Sequence, residues 1–230
     1  MTYYKAFRED GRTLHNRESW PLPQGDEPGA WVEAEGDLVP CWNGLHVMRE
    51  QDLAYWAGPT LFEVEIDGES IEAGDKVVCR RARLTRKVET WDRRTLVAWV
   101  CDCTERVLPI FEKKYPEDKR PRNAIEVTRA WVAGKATLEE VKTAADAAHA
   151  AACFACAFAY AARAAAYAAA ATYASYAAAY AADAAYAVNS ATYAAADAAT
   201  YASYAAANAI AERTWQSKRM LEYIRGEVKP

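Results

Sequence analysis

Residues 92–114 read DRRTLVAWVCDCTERVLPIFEKK, and in this stretch the apolar spacing changes from two to three and four. Val97, Val100, Cys101, Thr104, Val107, Leu108 and Phe111 recur at helical intervals, which predicts a helix with one apolar stripe. Pro109 is expected to kink or split that helix near its end, because it lacks the N–H that the preceding turn needs. Before this point the sequence has strand character; after it, helix formers dominate. The chain therefore reads as α+β. A small, mixed, strand-rich module spans residues 1–90, and an all-α, alanine-rich domain of several packed helices spans residues 91–230.

Working upstream, residues 76–85 alternate, and their arginines suggest an edge strand or a solvated face. Residues 61–66, LFEVEI, alternate more cleanly, as a half-buried strand does. Asp67-Gly68 is a turn dipeptide and is expected to close a hairpin between the two. Residues 2–7 and 31–35 are further candidate strands. Residues 11–29 are rich in Gly, Pro and charge and read as loop. Asn43-Gly44 signals a turn, residues 49–56 suit a single short helix, and Gly58-Pro59 breaks the chain.

Downstream, residues 115–121 form a charged connection bounded by prolines, and residues 122–133 a helix stopped by Gly134. Thr137-Leu-Glu-Glu140 is a capping box that opens another. No Gly or Pro follows until Gly226. Of the 68 residues from 144 to 211, 40 are alanine and nine are tyrosine, so helix is strongly favoured. One unbroken helix over about 90 residues would run roughly 130 Å. It would carry almost no surface charge, since only Arg163, Asp183 and Asp197 are charged between 150 and 211. Several shorter helices folded back on one another are expected instead, with breaks near residues 152–155, 171–172 and 189–190. The nine letters ATYASYAAA at 171–179 recur at 199–207, and ATYAAADAA stands at 191–199. A 28-residue step accommodates two short helices and a turn, so a small helical array is expected. Drift in low-complexity sequence would leave the same trace.

Tyr173, Tyr176 and Tyr180 share one helix face. Asp183 lies three residues from Tyr180 and Tyr186, and Asp197 four from Tyr193 and Tyr201. Alanine faces let helix backbones approach closely, and the phenol rings then occupy the edges. Tyr173, Tyr176, Tyr180, Tyr186, Tyr193, Tyr201 and Tyr204, with Asp183 and Asp197, are the candidate partner-binding residues. The plain structural alternative is that these rings only fill the core. The same helices are a candidate homodimer surface, and a purely structural, oligomerising protein is a further alternative for function.

A net charge of −4 is not the basic excess of a general nucleic-acid binder, and a nucleic-acid partner is not expected. No signal peptide and no membrane span is read, because the 150–182 stretch is mostly alanine and contains Arg163. The chain is expected in the cytoplasm. Its six cysteines, at 41, 79, 101, 103, 153 and 156, are then buried thiols and not a disulfide framework. His149, Cys153 and Cys156 fall on one helix face, and with Cys103 a zinc site could be drawn. Cys101 and Cys103, however, point about 200° apart on a helix. Turns with Gly or Pro are also missing, so neither metal nor cofactor is expected. His46, Tyr55 and Glu65 could form a degenerate ADP-ribosyl-transfer triad, which is the enzyme alternative. No phosphate-binding loop or nucleophile elbow is present, and no catalytic residue is assigned.

Gly44-Leu-His-Val47, Gly58-Pro-Thr-Leu-Phe-Glu-Val-Glu65 and Asp75-Lys-Val-Val78 resemble an uncharacterised domain of phage and bacterial proteins. Cys101-Asp-Cys-Thr-Glu-Arg-Val-Leu-Pro109, Arg120-Pro-Arg-Asn-Ala-Ile-Glu126 and Trp215-Gln-Ser-Lys-Arg-Met-Leu221 resemble the bacterial immunity-protein family. The second resemblance implies a non-enzymatic, cytoplasmic protein that neutralises a protein partner by binding it. The phage setting of the first extends the partner from a toxin to a host defence complex, with the chain as an anti-defence protein of the anti-CRISPR kind. Neither supplies catalytic residues.

Overall fold

Five strands build one antiparallel sheet: β1 (Tyr3–Phe7), β2 (Val32–Glu33), β3 (Leu45–Val47), β4 (Thr60–Glu72) and β5 (Val77–Lys87). The computed structural model describes residues 1–14, 16, 18–162 and 209–230, without the side chains of residues 152–162 and 209. β4 lies between β1 and β5, and β5 also pairs with β2 and β3. Met48, just past β3, exchanges backbone hydrogen bonds of 2.8 Å with Tyr4 of β1. The ring β1–β4–β5–β3–β1 is thereby closed. Its interior holds Phe7, Trp20, Leu45, Val47, Phe62 and Leu84, with Phe7 edge-on to both Phe62 and Trp20.

Asp67-Gly68 does not close the hairpin. β4 runs through it to Glu72, with a register shift between Asp67 and Ser70. Gly68 has φ +77°, so the turn-forming glycine is used for a bulge, and the chain reverses over residues 73–76. β5 is an interior strand and not an edge. Its arginines occupy a solvated face, where Arg81 pairs with Asp67, Arg83 with Glu65 and Arg86 with Glu63 on β4. Arg81 and Arg83 flank Trp31 at 4.5 and 4.6 Å. The short helix is a 3-10 turn, Glu50–Tyr55, opened by a buried Arg49–Asp52 pair.

The helices are α1 (Arg93–Lys114), α2 (Arg120–Val132), α3 (Leu138–Ala162) and α4 (Ala209–Ile224). Asp92 caps α1 by accepting from the Thr95 N–H at 2.8 Å. α1 does not carry a single stripe. Leu96 to Cys101 are six consecutive buried residues, because its first half is enclosed on all sides. Pro109 does not split it, since the ring points to solvent and the carbonyl left without a donor is on the wet side. Thr137 and Glu140 form the expected reciprocal cap of α3. The break expected near residues 152–155 is absent, because nothing in that alanine-rich run interrupts the helix. The other two expected breaks and the 28-residue repeat lie outside the described residues.

One apolar cluster joins the outer face of the sheet to the helices. It takes Tyr4, Leu53 and Leu61 from one side and Trp91, Trp99, Phe111, Ile125, Val141 and Met220 from the other. Trp91 donates its indole N–H to the Gly58 carbonyl at 2.8 Å.

Candidate functional site

The side chains expected to meet a partner, Tyr173, Tyr176, Tyr180, Tyr186, Tyr193, Tyr201, Tyr204, Asp183 and Asp197, all lie outside the described residues. The alternative triad is not assembled. His46 sits opposite Val78 on the ladder and Glu65 opposite Arg83. Five residues of strand separate those levels, roughly 17 Å. Glu65 is paired with Arg83, and Tyr55 stacks under the Arg213 guanidinium at 4.7 Å. Among the described residues no group of three or more His, Cys, Asp or Glu could hold a metal ion. The side chains of Cys153 and Cys156 fall outside that description. Cys79, Cys101 and Cys103 are buried free thiols, with burial pushing Cys79 up to about 11 and Cys101 up to about 12. Cys41 is exposed, against the expectation of buried thiols.

A concave site lies instead at one end of the strand ring. A cavity of about 480 Å³ opens between β1, β3 and the loop that precedes β3. Its apolar wall is formed by Ala6, Leu14, Leu45, Val47 and Met48, and its aromatic wall by Trp20, Trp42 and Trp56. Alternation along β1 directs Lys5 towards the same side as Phe7, so its amine enters the cavity. The Lys5 Nζ donates to the His46 carbonyl at 2.8 Å and sits 4.5 Å over the Trp20 ring. Burial lowers this ammonium to about 8, more than the attraction of Cys79 and Glu18 raises it. At the opposite wall Lys76 sits 4.7 Å over the Trp56 ring and 3.6 Å from Asp75.

The loop at the mouth is tightly held. Val39 and Asn43 exchange backbone bonds of 2.9 and 2.8 Å, and the Asn43 amide donates to the Glu35 and Asp37 carbonyls. Arg80 donates to the Ala34 and Gly36 carbonyls. Cys41 has φ 70°, a strained value for a residue with a side chain, and its N–H donates to His46 Nε2 at 3.1 Å. That bond requires an unprotonated Nε2. The loop holds up Trp42, which is 88 % exposed at the mouth of the cavity. An indole held in water by a pre-formed loop is the kind of anchor found at interaction surfaces.

The helical half is fixed by charge as well as by packing. Asp102 of α1 accepts from Arg129 of α2 and Arg219 of α4 at 2.6 Å each, and from the Tyr223 hydroxyl at 2.9 Å. Glu105 and Glu222 complete the two arginines. Arg106 pairs with the buried Glu212 and lies 4.0 Å over Trp215.

The sheet and the described helices share one apolar core, and the charged contacts of Asp102 join the helices. The chain belongs to the family described as "Imm-5 like putative immunity protein", whose model matches residues 86–223. The match begins in the last two residues of β5 and takes in the four described helices, the last of them as far as Tyr223. No curated protein matches the chain, and no solved structure does. Among the described residues no helix is long and apolar enough to cross a membrane.

Proposed function

We propose that the protein is a non-enzymatic inhibitor that neutralises a toxin by binding it. The family match over residues 86–223 carries this reading. It is supported by the hydrogen bonds that hold the Trp42 loop in place, since a pre-organised surface binds at a smaller ordering cost. Two contact surfaces are put forward. One is the Trp42 loop, on its geometry. The other is the tyrosine stripe of residues 173–204, with Asp183 and Asp197, on sequence spacing alone. We place the protein in the cytoplasm, where an exposed free thiol such as Cys41 stays reduced. A host defence complex in place of a toxin is the alternative target that the N-terminal phage resemblance implies.

The test is co-expression with a toxin from the same source, followed by sedimentation of the mixture. The reading expects growth rescue together with a stable complex. It also expects at least about tenfold weaker binding in Trp42→Ala or in the combined Tyr173→Ser, Tyr176→Ser, Tyr180→Ser variant. Rescue without a complex contradicts it.

A further inference from the structure

We infer that the cavity beneath Trp42 is a binding site for an organic monocarboxylate with an apolar body. Lys5 receives the carboxylate, and the indoles of Trp20, Trp42 and Trp56 hold the body.

The size suits a small molecule. Such sites run from roughly 300 to 1,000 Å³, are mostly apolar, and carry a few convergent polar groups. This cavity has about 480 Å³, an aliphatic wall, three indoles and two amines.

The charge selects an anion. Lys5 spends one of its three N–H donors on the His46 carbonyl; Glu18 attracts it through the field, and among the described residues it has no contact ion pair. A partly buried ammonium without a contact ion pair is a standing cost that a bound carboxylate reduces. Lys76 is already balanced by Asp75, so Lys5 is the one described amine of the lining without an ion pair. Glu18, exposed on the rim, opposes a second negative charge. The site is thereby matched to a single carboxylate and set against polyphosphates or dicarboxylates.

All the lining residues lie between 5 and 76, before the segment that the family model matches. The ligand site is therefore a property of the sheet module and is tested without reference to any toxin.

The probe is octanoate, which does not absorb with tryptophan, titrated into the full-length protein while indole fluorescence and heat are recorded. Octanol, octylamine and suberate are the comparison ligands. Saturable one-to-one binding of octanoate is expected, with each comparison ligand at least about tenfold weaker. Lys5→Met is expected to lose octanoate to the same degree, and Trp42→Ala to weaken octanoate and octanol alike. Lys5→Gln serves as the second variant if Lys5→Met does not fold. Octanol binding as tightly as octanoate overturns the inference, as does unchanged octanoate affinity in a folded Lys5 variant. The absence of saturable octanoate binding overturns it as well.

Discussion

The indole N–H of Trp99 donates to the backbone carbonyl of Gln216 at 2.9 Å, although 117 residues of chain separate the two. Trp99 is fully buried in α1 and Gln216 fully buried in α4. The bond marks the point where the last helix returns to the first. Trp99→Phe removes the donor and part of the ring volume, and is expected to cost about 1–3 kcal/mol in urea unfolding. A loss within the error of the fit would mean that the two helices are joined by other contacts.

Asp102 is the shared acceptor for three donors from two helices. Asp102→Ala leaves two guanidiniums and a phenol without it. With Arg129 and Arg219 partly exposed, the expected cost is about 2–4 kcal/mol. The cost in Asp102→Ala/Arg219→Ala should fall short of the sum of the single variants, because the first change removes the partner of the second. Additive values in a double-mutant cycle would contradict the shared-acceptor description.

Lys5 gives the sheet module a pH signature. Its folded value is about 8, and it titrates near 10.4 in an unfolded chain. Between those two values the unfolded chain holds a proton that the folded chain has lost, so stability rises with pH across that window. Below about 8 the cost of the buried charge stands in full. Lys5→Met, which keeps the stem against Trp20, is expected to raise stability at neutral pH by about 1–3 kcal/mol and to flatten that rise. Urea midpoints at neutral pH and in the window, for both chains, check it.

Gly44 is required by both its backbone and its surroundings. Its φ is +121°, and an added Cβ would lie 2.4 Å from Val78 Cγ1 and 3.1 Å from Leu38 Cδ2, both on buried side chains. Gly44→Ala is expected to cost about 2 kcal/mol or more in thermal unfolding. Gly11→Ala, with φ +75° and nothing within 4 Å, should cost only about 1 kcal/mol. Equal losses would mean that space at Gly44 does not matter.

What could be read from the sequence was what each segment declares locally. The LFEVEI alternation announces a strand because one face of β4 is buried, and Thr137 with Glu140 announces a helix start. Asp67-Gly68 misled because the same dipeptide serves a turn or a bulge, and only the pairing with β5 decides between them. Asp102 was overshadowed by the cysteines on either side of it. Its role depends on arginines 27 and 117 residues away. The cavity was illegible for the same reason. Lys5, Trp20, Trp42, Trp56 and Lys76 are ordinary residues, and only the closed strand ring brings them together.

The most direct test of the neutralising role is a titration of toxin activity at fixed toxin concentration well above the dissociation constant. Binding without chemistry predicts a linear fall that ends at a fixed molar ratio, with activity restored when the complex is separated. Inactivation of many toxin molecules by each copy of this chain, or inhibition that persists after separation, would show turnover and contradict the account.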